Sequence, residues 1–165
     1  MKTRVLHPIP AVFDSHSEIL ILGSFPSVKS REESFFYAHP QNRFWRVLAE
    51  IFGAPLPVSV QEKRAFLLRH RIALWDVLAS CLIEGSADST IREAEANDIS
   101  PILSAAPIRA VFANGKTAWS LYRRHIEPRV AREALCLPSS SPANAAFSFD
   151  RLCEEWRRLI FGGKG

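Results

Sequence analysis

Cysteine is scarce in this chain, and its three copies lie far apart. Cys81, Cys136 and Cys153 form no CxxC pair, and this spacing argues against a zinc knuckle, an iron–sulfur cluster and a disulfide framework. The five histidines show no metal-ligand spacing either. We therefore expect a protein that has no metal or other cofactor, keeps its cysteines reduced and works in the cytoplasm.

Long apolar runs and the common ligand-binding motifs are also missing. No stretch approaches the roughly 20 apolar residues that cross a bilayer, and the opening MKTRVLHPIP lacks the apolar core of a signal peptide. There is no GxGxxG, GxxxxGK[ST] or GxSxG, which argues against a dinucleotide site, a P-loop and a serine-hydrolase elbow. We expect a globular protein that has no membrane partner.

The excess of positive charge is small. The net charge is +4 and the sequence pI is near 9.3, values that fit a nucleic-acid partner but that many unrelated proteins share. The short basic groups at 123–125 and 157–158 fall on predicted helix faces, where a solvated surface is the favoured interpretation. Charge alone therefore assigns no partner.

Short apolar segments alternate with amphipathic ones along the chain. The pattern predicts strands at about 18–22, 72–75, 108–113 and 134–137, and helices near 42–53, 61–70, 100–106, 116–125 and 149–160. Residues 1–17 are predicted to be an irregular lead-in, and 78–97 a loop with at most one helical turn. The alternation predicts an α/β fold, a three-layer α/β/α sandwich with a central four-stranded, mostly parallel sheet in a single domain spanning 1–165.

Each polar or proline-rich loop follows the carboxyl end of a predicted strand. These loops are 23–42, 76–89, 114–116 and 138–144, and they should converge on one rim of the sheet, where α/β proteins bind ligands. The first loop is unusually long and rich in aromatic and polar residues, which suggests a pocket. The serines at 139–141 have no His or Lys placed to activate them, so a backbone-shaping, phosphate-contacting loop is favoured over a nucleophile.

Several segments resemble the uracil-DNA glycosylase superfamily. FYAHPQNRFW at Phe36–Trp45 is similar to the F-A-H-P-x-N-R-F-W segment of the mismatch-specific uracil-DNA glycosylases. GSFPS at Gly23–Ser27 lies where those enzymes have G-I-N-P-G, and LPSSSPANA at Leu137–Ala145 lies where the superfamily has its second motif. LWDVLASC and FANGKTA fall between them in the right order. Over residues 18–160 the combination is most similar to the hypoxanthine-DNA glycosylase branch.

The resemblance implies a small monofunctional enzyme that works without a metal or cofactor. Such an enzyme flips a deaminated base out of DNA and hydrolyses its N-glycosidic bond, leaving an abasic site for base excision repair. Hypoxanthine is the expected base, with uracil and xanthine next, and DNA containing such bases is the expected partner of a monomer. The alternatives are a mismatch-type uracil-DNA glycosylase, a catalytically weak module that binds damaged DNA, and a hydrolase of small nucleosides.

Three departures from the superfamily pattern concern its catalytic residues. Phe25 replaces the water-positioning Asp or Asn, Ser139 replaces the His or Asn that opens the second motif, and Ala143 replaces the leucine wedge. The usual acid–base pair is therefore missing, and flipping of intact pairs should be slow. The branch that the chain resembles relies on the Asn of the H-P-x-N segment, here Asn42, which could hold water or contact the base. The alternative is that Asn42 caps a helix.

The remaining candidates would surround the flipped base. Tyr37 is the predicted stacking platform, Phe25 a dry pocket floor, and the backbone around Ser24 a donor to the base carbonyl. Asp76 could accept the ring N–H of hypoxanthine or uracil. Core packing is the alternative for Tyr37 and Phe25, and a structural cap for Asp76. The predicted DNA contacts are Ser27, Ser139, Ser140, Ser141, Ala143 and Asn144.

Overall fold

The structure is a computed structural model that describes residues 3–162. In chain order its elements are β1 (Thr3–Leu6), β2 (Ile19–Gly23), α1 (Val28–Glu33), α2 (Phe44–Phe52), α3 (Val60–Arg69), β3 (Ile72–Asp76), β4 (Leu78–Ile83), β5 (Arg92–Ala96), α4 (Ser100–Ala105), β6 (Ala110–Asn114), α5 (Lys116–His125), α6 (Glu127–Val130), β7 (Ala134–Leu137) and α7 (Phe149–Phe161). One turn of 3-10 helix, Asp88–Thr90, separates β4 from β5. No helix in the described residues is long and apolar enough to span a bilayer.

The main sheet has four strands, all parallel, in the order β3-β2-β6-β7. Every residue of β2 is buried because both faces of the sheet are covered. Ile19 and Ile21 pack on the face shared with α2, α3 and α7, whereas Leu20 and Leu22 face the core that includes Ile102 of α4 and residues of α5. The predicted three-layer fold with a four-stranded parallel sheet is confirmed.

A second sheet was not predicted from the pattern. Strands β1, β4 and β5 form an antiparallel sheet in the order β1-β4-β5. The prediction of a loop at 78–97 is therefore wrong where β4 and β5 form. The irregular lead-in predicted at 1–17 is wrong for Thr3–Leu6, whereas 7–17 contains only an isolated bridge at Val12; residues 1 and 2 lie outside the described residues. Strands β1 and β5 are mostly exposed, and β5 has charged residues at three of its five positions. Because pairing with β4 stabilises these strands, they do not need the alternation of apolar and polar residues by which a strand is predicted from sequence.

The long loop after β2 contains a short helix. Ser27 caps α1, since its Oγ accepts the N–H of Ser30 at 3.1 Å. Ser30 Oγ in turn accepts the N–H of Ala38, also at 3.1 Å, which ties the end of the loop to the helix. The indole of Trp45 in α2 donates to the carbonyl of Phe36. These contacts fix the loop against the sheet and position its aromatic residues.

Candidate functional site

The four loops meet at the carboxyl edge of the main sheet, as predicted. Gly23, the last residue of β2, lies between two side chains of this edge. A Cβ built on Gly23 would be 2.4 Å from Asp76 Oδ1 and 2.6 Å from the hydroxyl of Tyr37. Only glycine allows both groups to approach the backbone so closely. The start of the GSFPS segment thus brings the predicted platform and the predicted base-reading carboxylate together.

Asp76 is held by His7, which directly follows the first strand of the chain. Its Oδ2 lies 2.8 Å from His7 Nε2, and both side chains are nearly inaccessible to solvent, at 5% and 3% exposed. His7 Nδ1 accepts the N–H of Ile9 at 3.2 Å. A backbone N–H can only donate, so the proton of the neutral ring lies on Nε2 and is donated to Asp76. Within residues 3–162 nothing donates to Asp76 Oδ1, which remains an acceptor.

Phe25 covers the His7–Asp76 pair. Its ring meets the His7 ring edge-on, with 5.9 Å between centroids, and it is only 8% exposed. Trp75 packs on the same imidazole at 6.1 Å. Phe25 therefore packs as a core aromatic and keeps water from the pair. Contact of Phe25 with a base stays a prediction. The Asp76 carboxylate bonds to His7, and this bond gives no support to the alternative that Asp76 is a structural cap.

Tyr37 combines an unusual backbone with an unpaired hydroxyl. Its φ of 52° lies in the left-handed region that a tyrosine rarely adopts. One ring face stacks on Phe44, with 4.0 Å between centroids and 17° between planes. The hydroxyl is buried and makes no hydrogen bond of normal geometry within the described chain, although the Asn114 side chain lies close enough to lower the pKa of Tyr37 slightly. Burial, and then the charge of Asp76, raise the pKa of Tyr37 well above its usual range, so the phenol stays protonated.

Ser24 is buried and holds a second carboxylate at the rim. Its Oγ donates to Asp88 Oδ2 at 2.9 Å. Part of the Asp88 side chain meets solvent, but the carboxyl lies in a crevice, and this desolvation raises its pKa; nearby Asp76 raises it further. Asp88 and Lys116 line a cavity of about 320 Å³ beside the first turns of α5. The hydroxyl of Ser24 is thus occupied, while its backbone remains a candidate for base contact.

Backbone N–H groups of the GSFPS segment remain available. In the part of the chain that the structure describes, the N–H groups of Phe25 and Ser27 donate to no acceptor. Free N–H groups near a carboxyl-edge pocket are suited to an oxygen that gains negative charge. The Ser27 side chain, in contrast, is used to cap α1. A DNA contact by that hydroxyl has no support from its position.

The Oδ1 of Asn42 accepts two hydrogen bonds, one from the start of α2 and one from the second loop. One comes from the N–H of Phe44 at 3.0 Å and the other from Ser140 Oγ at 2.8 Å. Asn114, the last residue of β6, bonds to Ser140 twice, through Nδ2 to Oγ and through Oδ1 from the Ser140 N–H, each at 3.0 Å. Ser140 is fully buried. Its predicted contact with DNA has no support from this position, because its polar atoms bond to Asn42 and Asn114.

Arg43 fastens the second loop to the start of α2. Its guanidinium donates to the carbonyls of Ser141, Asn144 and Phe147 at 2.9, 3.1 and 2.6 Å. Its backbone N–H donates to the Ser140 carbonyl at 3.1 Å. The loop is thus held by the residue directly after Asn42. The two segments that carry the resemblance form one unit.

The tip of the second loop points to solvent. Ala143 is exposed, and Ser139, Ser141 and Asn144 are partly buried. Ser139 Oγ accepts the Ser141 N–H at 3.1 Å, and Asn144 Nδ2 donates to the Ser139 carbonyl at 3.0 Å. These bonds shape the loop and leave its tip free. DNA contacts by these four residues stay predictions that their exposure permits.

Other parts of the surface hold less chemistry. A cavity of about 480 Å³ lies between α2 and α7, lined by Glu50, Ser148, Asp150, Arg151, Cys153, Glu154 and Arg157. None of the predicted site residues lines it. Within residues 3–162 no group of three or more His, Cys, Asp or Glu side chains is placed to hold a metal ion.

Four residues of the site were missed from the sequence: His7, Arg43, Asp88 and Asn114. Arg43 lies inside the HPQNRFW segment, and Asn114 ends a predicted strand at the predicted rim. Both positions carried a signal that could have been used. His7 and Asp88 fall in stretches that were predicted to be irregular. Only the pairing of β1 with β4 brings His7 to Asp76, and no local pattern reports that contact.

Comparisons with known proteins agree with this geometry. The family described as the uracil DNA glycosylase superfamily matches residues 10–160. A protein of Methanosarcina acetivorans named hypoxanthine DNA glycosylase is 41% identical over 156 residues, 92% of this chain and 95% of that protein. One of the same name from Methanosarcina barkeri is 38% identical over 137 residues, 82% of this chain and 85% of its own length.

A solved structure is similar as well. The solution NMR structure of a Methanosarcina acetivorans protein, proposed to be a uracil DNA glycosylase, superimposes with a TM-score of 0.78 at 38% identity. The similarity covers 92% of this chain and 93% of that one. The family match and the two relatives span most of the chain, including both motif loops and the sheet between them. The chain belongs to the uracil DNA glycosylase superfamily.

Proposed function

We propose that this protein is a monofunctional DNA glycosylase that removes hypoxanthine from DNA. Membership of the superfamily and the names of the two relatives support the reaction class. The observation that carries the choice of base is the acceptor Asp76 Oδ1, which His7 holds at the rim beside Gly23 and Tyr37. The reaction adds water across the bond between C1′ of the deoxyribose and the base, and leaves an abasic site.

The acceptor distinguishes a deaminated purine from its parent. Adenine has a lone pair on N1, whereas hypoxanthine has an N–H there. An ionised carboxylate accepts from an N–H and repels a lone pair. Since His7 already donates to Oδ2, the other oxygen of Asp76 is set to accept from hypoxanthine and to reject adenine. Uracil also carries a ring N–H, so the same acceptor fits uracil as a second substrate.

The surrounding groups would complete the binding of a flipped base. The Tyr37 ring, backed by Phe44, offers a face for stacking, and its unpaired hydroxyl lies near Asp76 Oδ1. The free N–H groups of Phe25 and Ser27 suit the oxygen of the base. The exposed tip at Ala143, with Ser139, Ser141 and Asn144 behind it, would meet the DNA strand. Without a long wedge at the tip, intact base pairs should be opened slowly.

The test is a cleavage assay on labelled oligonucleotides. Each carries one hypoxanthine, uracil or xanthine in single- or double-stranded form, and alkali then breaks the strand at abasic sites. An oligonucleotide with adenine at the same position is the matched control. We expect breaks at hypoxanthine, none at adenine, and loss of cleavage with retained DNA binding in Asn42→Ala.

Each other outcome contradicts the proposal in a recognisable way. No break at any base under enzyme excess, together with binding selective for damaged DNA, would mean a binding module on the same fold. Cleavage confined to uracil would assign the mismatch-type activity. Faster hydrolysis of free inosine than of the oligonucleotide would point to a nucleoside hydrolase.

A further inference from the structure

The orientation of the Asn42 amide is fixed by a backbone donor. The N–H of Phe44 lies 3.0 Å from one terminal atom of the Asn42 side chain. Because a backbone N–H can only donate, that atom is the oxygen, Oδ1. The amide nitrogen therefore points the other way. In the described residues Nδ2 donates to no protein group, and Asn42 is only partly buried, so its two hydrogens are free for a ligand.

A second backbone donor fixes the direction of the neighbouring bonds. The N–H of Ser140 lies 3.0 Å from Asn114 Oδ1, so Asn114 Nδ2 faces Ser140 Oγ and donates to it at 3.0 Å. Ser140 Oγ then directs its own proton to Asn42 Oδ1 at 2.8 Å. Hydrogen bonds thus run in one direction, from Asn114 through Ser140 to Asn42. Aligned bonds of this kind polarise one another, which strengthens the final donor.

Both acceptor positions of the Asn42 oxygen are occupied in this arrangement. Phe44 N and Ser140 Oγ each donate to Oδ1, and a carbonyl oxygen has two lone pairs. A water molecule that donated a hydrogen bond to Asn42 would therefore find no free lone pair on Oδ1. The chain of bonds therefore decides between the two roles open to this asparagine, contact with the base and acceptance from the attacking water.

We infer that Asn42 acts through Nδ2 as a donor to an acceptor atom of the departing base, and that Ser140 and Asn114 are positioning residues that hold the amide in this orientation. The inference rests on the proposed glycosylase function and deepens it. When the glycosidic bond breaks, its electron pair passes to the base, whose ring nitrogens and carbonyl gain negative charge. A fixed donor stabilises that charge more in the transition state than in the ground state. Water adds to C1′ and releases a proton to solvent, and the departing base takes up a proton from solvent to become neutral.

The decisive experiment compares Asn42→Asp with Asn42→Ala in single-turnover cleavage of a hypoxanthine oligonucleotide over a range of pH. In Asn42→Asp an oxygen replaces Nδ2, so the ionised side chain can accept but not donate. We expect both variants to be about 100-fold slower than the wild type at neutral pH, the loss typical of one oxyanion donor. Asn42→Asp alone should recover as the pH falls and its carboxyl gains a proton to donate.

A second comparison tests the positioning residues. Ser140→Ala should lower the rate constant of cleavage about tenfold with little change in KM. Asn114→Asp should do the same, because Ser140 Oγ would then donate to the new carboxylate and not to Asn42. If Ser140 acts through Asn42, adding Ser140→Ala to Asn42→Ala should cost no further activity. Ser59→Ala is the matched control: it removes the cap of α3, remote from the site, and should lower stability but not the rate.

The outcomes separate this inference from the proposed function. A wild type that cleaves hypoxanthine, with an Asn42→Asp variant as active at neutral pH, would overturn the inference and leave the glycosylase function standing. Additive losses from Asn42→Ala and Ser140→Ala would also overturn it. A wild type that cleaves no deaminated base would overturn both. Thermal unfolding of each variant shows that the rates are measured on folded protein.

Discussion

The two sides of the candidate site are held by different means. The acceptor side consists of His7 and Asp76, a nearly inaccessible pair with one charge and one connecting hydrogen bond. The donor side consists of Asn42, Ser140 and Asn114, three neutral side chains linked in a row and fixed by two backbone N–H groups. The first side consists of a carboxylate and an imidazole, and the second of amide and hydroxyl groups.

The difference suggests a division of work between selectivity and rate. A carboxylate near a departing base selects the ring N–H, but it repels the negative charge that the base acquires. A neutral donor does not recognise that N–H, but it lowers the free energy of the charged transition state. Under the proposed function, the acceptor side would choose the base and slow its departure, while the donor side would accelerate departure.

The largest effect is expected from Asp76→Asn, which replaces the hydrogen-bond acceptor Oδ1 with a donor. His7 would bind the amide oxygen and leave the NH2 group facing the ring N–H of hypoxanthine. Loss of a hydrogen bond to a charged group, worth about 2–3 kcal/mol, should lower kcat/KM for hypoxanthine about 100-fold. Asp150→Asn, on the exposed start of α7, is the control. Retained selectivity against adenine in a steady-state assay would contradict the assignment.

Arg43→Ala should break the brace behind the donor side. The variant removes four hydrogen bonds from a partly buried guanidinium to loop carbonyls, the longest of them to Ser140 at 3.4 Å. We expect the free energy of unfolding in urea to fall by about 2–3 kcal/mol. Arg46→Ala is the matched control, since this exposed neighbour makes one long hydrogen bond to Pro40. An equal fall in the free energy of unfolding in both variants would show that the hydrogen bonds of Arg43 to the loop do not stabilise the fold specifically.

A smaller effect is expected from His7→Phe, which keeps the ring but removes the donor to Asp76. The carboxylate would lose its partner in a buried place, so the free energy of unfolding should fall by about 1–2 kcal/mol. His7→Gln offers an N–H at similar reach and should recover part of the loss, whereas His16→Gln, at an exposed histidine, should change nothing. Denaturant unfolding at pH 7 measures all three, and an unaffected His7→Phe would refute the pairing.

The smallest effect concerns Asp88, which lies near the acceptor side and shares a cavity with Lys116. Its pKa is raised above 3.8 in the folded protein, so folding favours the protonated form. The contribution of Asp88 to stability is then highest at low pH and falls as the pH rises through the window above 3.8. Asp88→Asn should therefore stabilise the protein by a few tenths of a kcal/mol at pH 7 and not at pH 3. Unfolding at both pH values tests the sign.

The main sheet could be predicted because its strands are buried on both faces. Runs such as Ile19–Leu22 leave few alternatives to a central strand, and the polar residues after each run mark the carboxyl edge. Strands β1 and β5 could not be predicted in this way. Their residues are mostly exposed, and β1 becomes a strand by pairing with residues that are distant in sequence.

The same division applies to the site. Asn42, Tyr37 and Asp76 stand in loops at the predicted edge or in a segment with a specific resemblance, so the sequence pointed to them. The sequence pattern did not predict which residues surround each of them. Nothing local to Ser140 shows that it is buried, and nothing local to His7 shows that it meets a carboxylate. Both facts arise from tertiary contacts, which residue type and spacing do not encode.

The wide sequence separation of these contacts has a consequence for the growing chain. His7 and Asp76 are 69 positions apart, whereas Asn42 and Ser140 are 98 apart. During synthesis the partners of the acceptor side exist once residue 76 has emerged, but the donor side must wait for the loop after β7. A product that stopped short of residue 139 would contain the acceptor side, which is proposed to select the base. It would lack Ser140 and therefore the donor side, which is proposed to help release the base. Under the proposed function, a chain that ends early would therefore lack the donor side and should not release a base.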